Sequence, residues 1–86
     1  MTREDLLYEI ISFFNRKFEI ENPGPDDDLR EKFGFDSIDG IELLIHIEKL
    51  LQTELTQDEK KQSLNIRTIN HVCDFIEAIM ELRSKI

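Results

Sequence analysis

Three runs of apolar residues in this chain recur at spacings of three and four. No stretch alternates usefully with the period of two that a half-buried strand needs. A chain patterned this way is confined to packing helix on helix. Leu6, Leu7, Ile10, Ile11 and Phe14 mark the first run. Thr2 can cap it, with Asp5 as the acid three residues later. Arg16 and Lys17 suit the negative end of the helix dipole, so this helix is expected to end between Arg16 and Phe18.

Asn22-Pro23-Gly24-Pro25 then stops regular structure, and the polar run Asp26-Asp27-Asp28 follows. Residues 19–35 therefore read as a long ordered loop, anchored to the core by Leu29, Phe33 and Phe35. A loop of that length in a small chain usually serves a function. Asp36 is a good N-cap for the next helix, with Asp39 at its third position. Ile38, Ile41, Leu43, Leu44, Ile45, Ile47, Leu50 and Leu51 make that helix apolar around more than half its circumference. Such a width exceeds what a helix touching the core on one side needs, and it points to a second, partner-facing surface. Leu43, Ile47 and Leu50 are expected to face the core. Thr56 can cap a short polar helix over residues 57–62. Thr68 can cap a last helix whose stripe is Ile69, Val72, Cys73, Phe75, Ile76, Ile79 and Leu82. The expected fold is all-α: a small bundle of three main helices and one short one, with a long loop after the first, forming a single domain over residues 1–86.

Charge narrows the partners. Nineteen acids against eleven bases leave a formal net charge of −8, which disfavours nucleic acid and suits basic protein surfaces. The acids are concentrated early: residues 1–59 carry a net −10 and residues 60–86 a net +2. Cys73 is the one cysteine, so no intrachain disulfide forms, and a reducing, cytoplasmic setting fits. Met1-Thr2-Arg3-Glu4-Asp5 carries acids and lacks a long apolar run, unlike a secretory leader. No stretch has the length of a membrane span.

The segment Gly34-Phe35-Asp36-Ser37-Ile38-Asp39, continuing through Ile41-Glu42-Leu43 to Ile47-Glu48, resembles the acyl carrier protein family. The order of long helix, long loop, Asp-Ser-hydrophobe, acidic helix, short helix and final helix extends that resemblance over nearly the whole chain. The resemblance implies that Ser37 is the attachment site of 4′-phosphopantetheine, moved there from coenzyme A by a separate phosphopantetheinyl transferase. The arm's thiol would carry an acyl group as a thioester, and the chain would perform no bond chemistry itself. Partner enzymes that transfer or modify acyl groups would dock through basic surfaces onto Asp36, Ile38, Asp39, Ile41, Glu42, Ile45 and Glu48. The protein would act as a monomer, in fatty acid, lipid or polyketide biosynthesis.

Some positions depart from the family pattern. Ile38 follows the serine in place of leucine. Gly40 sits in the first turns of the helix, at a cost of about 1 kcal/mol relative to alanine. His46 and Lys49 stand where small or acidic residues are common, and Lys60 and Lys61 turn the short helix basic. Lys32 and Phe33 differ just before the motif. These departures imply a specialised carrier with its own partners.

Blander readings stand beside these. Ser37 on its own could be an ordinary helix cap. Asp26-Asp27-Asp28 fails as a calcium loop, because Arg30, Glu31 and Ser37 fall where such a loop needs an acid, a glycine and a glutamate. His71 and Cys73, two residues apart on a helix, point to different faces and make a poor metal or catalytic pair. Cys73 lies on the apolar stripe as a small buried hydrophobe. His46 reads as a surface residue with only helix neighbours such as Glu42. The alternatives to an acyl carrier are a peptidyl or aminoacyl carrier, or an acidic interaction module without a prosthetic group. A small hydrolase has least support, since no nucleophile, base and orienting group come together.

Overall fold

The computed structural model describes residues 1–84; Lys85 and Ile86 lie outside the described residues. The helices are α1 (Arg3–Phe18), α2 (Leu29–Phe33), α3 (Ser37–Leu51), α4 (Gln57–Gln62) and α5 (Ile69–Ser84), with a 3₁₀ turn at Ser63–Asn65. The architecture is all-α, and no strand is present among the described residues.

Side-chain caps set where the helices begin. The Thr2 hydroxyl accepts the Asp5 N–H at 3.1 Å, and the Asp5 carboxylate accepts the Thr2 N–H at 3.0 Å. The pattern repeats at α4 with Thr56 and Glu59. Thr68 accepts the His71 N–H at 3.0 Å to open α5. Each reciprocal pair satisfies two backbone donors that the first turn cannot use.

α1 lies against α5, and the two are pinned at one end by Arg3, whose guanidinium reaches Asp74, Glu77 and Asn70. The core is one cluster: Leu6, Ile10, Phe13 and Phe14 from α1, Leu43 and Ile47 from α3, and Ile69, Val72, Cys73, Phe75, Ile76 and Ile79 from α5. Cys73 is buried there as a small apolar residue, and burial pushes its thiol pKa up.

Four features depart from the sequence reading. Residues 19–35 are ordered but not wholly loop, because Leu29–Phe33 forms α2. Asp28 caps it, accepting the Arg30 and Glu31 N–H groups, and Gly34 closes it at φ 69°, a left-handed conformation glycine adopts without strain. Leu50 is only half-buried, and Leu51 packs against the core in its place. Leu82 is exposed, so the buried stripe of α5 stops at Ile79. Phe13, absent from the apolar run read for α1, is a core residue.

The loop's anchors are Leu29 and Phe35, both buried, with Phe33 half-buried beside them. Its backbone is tied to the start of α5. The Leu29 N–H donates to the Arg67 carbonyl at 2.8 Å, and the Asn70 N–H donates to the Pro25 carbonyl at 3.0 Å. Phe35 stacks on Phe14 at 5.3 Å between ring centres and meets Phe18 edge-on at 5.6 Å. The residue just before Asp36-Ser37 is thereby fixed in the core, which sets where α3 begins.

Candidate functional site

Asp36, not Ser37, is the N-cap of α3. Its Oδ1 accepts the Asp39 N–H at 3.0 Å, and Asp39 returns the bond to the Asp36 N–H at 3.1 Å. Ser37 is the first helical residue and is exposed. Its hydroxyl makes no hydrogen bond among the described residues. The capping duty has been taken by its neighbour, so the Ser37 Oγ is left over, at the positive end of a fifteen-residue helix.

Beside Ser37 a cavity of about 120 Å³ opens between α3, α4 and the 3₁₀ turn. Phe35, Ile41, Leu43, Leu44, Leu64 and Ile66 supply its apolar lining, and Asp36, Gly40, Arg30, Lys60 and Ser63 complete it. A dry cavity of comparable size, about 150 Å³, holds a small apolar molecule. This one has room for a small apolar group.

The remaining residues of the expected docking surface divide into two groups. Ile38, Ile41 and Ile45 are 68%, 60% and 46% exposed, a strip of unpartnered aliphatic surface along α3. Leu64, 67% exposed, adds to the exposed apolar surface from the 3₁₀ turn. The acids are more committed. Asp36 and Asp39 serve the capping box. Glu42 pairs with Lys17 of α1 at 3.6 Å, both side chains staying well exposed. Glu48 accepts the Leu55 N–H at 2.8 Å through Oε2, steadying the turn between α3 and α4.

His46 is not the surface residue its sequence neighbours imply. Its ring stacks on Phe13 at 4.0 Å and 12°, and its Nε2 is buried without a partner among the described residues. Burial holds its pKa below the ordinary value. The positive charges of Arg16 and Lys49 act the same way, while Glu9 opposes them.

Arg30, Lys60 and Leu64 enter the site unforeseen as lining. Lys60 carries a sequence signal, its basic charge where the resembling family is acidic. Arg30 carries none, because α2 reads as loop.

The Ser37 hydroxyl is thus exposed and unbonded among the described residues, at a helix start and beside a mostly apolar cavity. A family model described as "Phosphopantetheine attachment site" matches residues 8–76. The chain belongs to this family. Its members attach 4′-phosphopantetheine covalently to a serine and act as carriers. No curated protein and no solved structure matches the chain. As a family member it is expected to meet a phosphopantetheinyl transferase and the enzymes its arm serves. No helix among the described residues is long and apolar enough to cross a membrane.

Proposed function

We propose that Ser37 carries the arm and that the protein is an acyl carrier. The observation that carries this reading is the free Ser37 hydroxyl behind the Asp36 cap. The matched segment contains two other serines, and neither is as available. Ser12 is half-buried in the middle of α1, and the Ser63 hydroxyl donates to the Lys60 carbonyl. In the loading step a transferase brings coenzyme A to Ser37. The Ser37 oxygen forms a bond to the phosphorus next to the pantetheine, the pyrophosphate bond breaks, adenosine 3′,5′-bisphosphate leaves, and the serine proton is released. The bound arm supplies a thiol that carries cargo as a thioester.

The apolar lining of the cavity beside Ser37 favours an acyl group over an aminoacyl one, whose ammonium would be desolvated there. The chain's own residues then act as a scaffold. Asp36 and Asp39 hold the helix start, and Phe35 fixes it to the core. Ile38, Ile41 and Ile45 offer apolar contact to partner enzymes. Asp36, Asp39 and Glu42 offer negative charge, and Glu48 adds the carboxylate oxygen that Leu55 leaves free. Basic docking surfaces complement this face, and the net charge of −8 steers them toward it. Residues 1–86 work as one carrier unit, a cytoplasmic monomer of fatty acid, lipid or polyketide biosynthesis with no bond chemistry of its own. The departures at Gly40, Lys49, Lys60 and Lys61 favour a specialised carrier.

Incubation with coenzyme A and a phosphopantetheinyl transferase tests the assignment. Intact mass should rise by one phosphopantetheinyl group, and Ser37→Ala should abolish the rise. A gain that survives in Ser37→Ala, or no gain with several competent transferases, would refute it.

A further inference from the structure

Two basic residues, exposed Arg30 and half-buried Lys60, line the cavity beside Ser37, whose walls are otherwise mostly apolar. Arg30 comes from α2 and Lys60 from α4, so the fold brings them together from distant parts of the chain. Neither makes an ion pair among the described residues, although acids outnumber bases nineteen to eleven. Arg3, Lys17, Lys32 and Arg83 each have a carboxylate partner, and among the described bases without one, Arg16, Arg30, Lys49, Lys60, Lys61 and Arg67, Arg30 and Lys60 are the two that line this cavity. One Arg30 nitrogen donates to the neutral Leu64 carbonyl at 3.3 Å, which leaves most of its five N–H donors unused. The Lys60 ammonium has no partner among the described residues.

We propose that Arg30 and Lys60 form a seat for the phosphodiester of an arm attached to Ser37, holding the arm against the cavity; this rests on the assignment of Ser37 above. Two cations and one carboxylate, Asp36, line the cavity, so one attached phosphodiester brings the local charge into balance. The Asp36 carboxylate is already engaged with the Asp39 N–H, which leaves the cations free for the phosphate. The apolar walls strengthen a charge–charge contact at half-buried Lys60 relative to open water, and less so at exposed Arg30. The amino terminus of α3 adds its own partial positive charge on the same side. Gly40, one turn into the helix, has nothing within 4 Å of where a Cβ would stand, so the arm's path along α3 is unobstructed at that point. Arg30 and Lys60 are positioning residues: they set where the arm lies and take no part in attaching it.

The test uses the folded protein loaded at Ser37 with coenzyme A and a transferase, with loading confirmed by mass. Nitrogen-edited NMR should show the Arg30 guanidinium and Lys60 ammonium signals shifting between unloaded and loaded protein, while those of Lys61 and Arg67 stay in place. At about 0.5 M salt, where the screening length is about 4 Å, roughly half or more of the shift should vanish. The phosphorus resonance of the loaded protein should move in Lys60→Gln and in Arg30→Gln. Lys60→Gln alone decides the question if Arg30→Gln disturbs α2. Loading a neutral butyryl or an anionic succinyl arm separates two sources of the anion. If the two cation signals move only with succinyl, the cargo's carboxylate is what they bind, and the phosphodiester seat is refuted. Unchanged cation and phosphorus signals in fully loaded protein refute the seat alone. No mass gain refutes the assignment of Ser37, and the seat with it.

Discussion

Ser37 owes its availability to the residue before it. Asp36 and Asp39 close the capping box between them, and the serine one step inside has no structural duty. This division was legible in the sequence, since an acid followed three residues later by another acid is a local signal. Gly40 was equally legible, and the open space beside it decides the sign of its replacement. Gly40→Ala should stabilise the fold by about 0.5–1 kcal/mol, measured by denaturant midpoint, because alanine loses less backbone entropy in a helix. Any arm lying along α3 would feel the added methyl. His46 was not legible, because its partner Phe13 belongs to another helix and stacking across helices leaves no trace in helical spacing. Its folded-state pKa is lowered, so in the native state it binds fewer protons than the unfolded chain does. Its contribution to stability is therefore complete above its ordinary value of 6.5 and is lost as pH falls below that. The melting temperature should drop from about pH 7.5 to about pH 5, and His46→Gln should flatten that drop. Glu59, whose carboxyl Arg83 holds low, acts in a separate window below its ordinary 4.5.

α3 does two jobs with one sequence. Leu43 and Ile47 bury one side of it, and Ile38, Ile41 and Ile45 leave another apolar side in water. Its wide apolar arc was visible in the sequence and correctly implied a surplus beyond the core. Which residues carry the surplus depends on packing, and at the helix end Leu51 packs against the core where Leu50 was expected to. Leu43→Ala should destabilise the protein by about 2–5 kcal/mol, since the side chain is almost wholly buried. A chemical melt that moves by a few tenths would remove it from the core. Glu42→Lys sacrifices an exposed pair with Lys17 and should cost less than about 1 kcal/mol. The same change should slow association with a basic partner, read by stopped-flow or surface binding, because it reverses a charge on the proposed docking face. α2 escaped sequence reading because five residues with Leu29 as the buried one carry no periodicity. Only the cap at Asp28 and the glycine at 34 mark it, and both also fit a loop.

At the scale of the molecule, helix order and helix starts were readable, because caps and apolar spacing are local properties of the chain. The cavity beside Ser37 was not readable, because it is made by four separate pieces: Arg30 in α2, the start of α3, Lys60 in α4 and the 3₁₀ turn with Leu64. Their convergence depends on Phe35 stacking on Phe14 and on the hydrogen bonds that tie residues 25–29 to residues 67–70. The bundle presents the exposed Ser37 hydroxyl at the mouth of a mostly apolar cavity, flanked by exposed aliphatics and acids, and the proposed function makes that serine the point of covalent attachment. The most direct measurement is the mass of the peptide containing Ser37, taken from protein purified from its own host while other carriers there are loaded. It should carry one phosphopantetheinyl group, with or without cargo, on Ser37. An unmodified Ser37, or the group found on Ser12 or Ser63, would contradict the account.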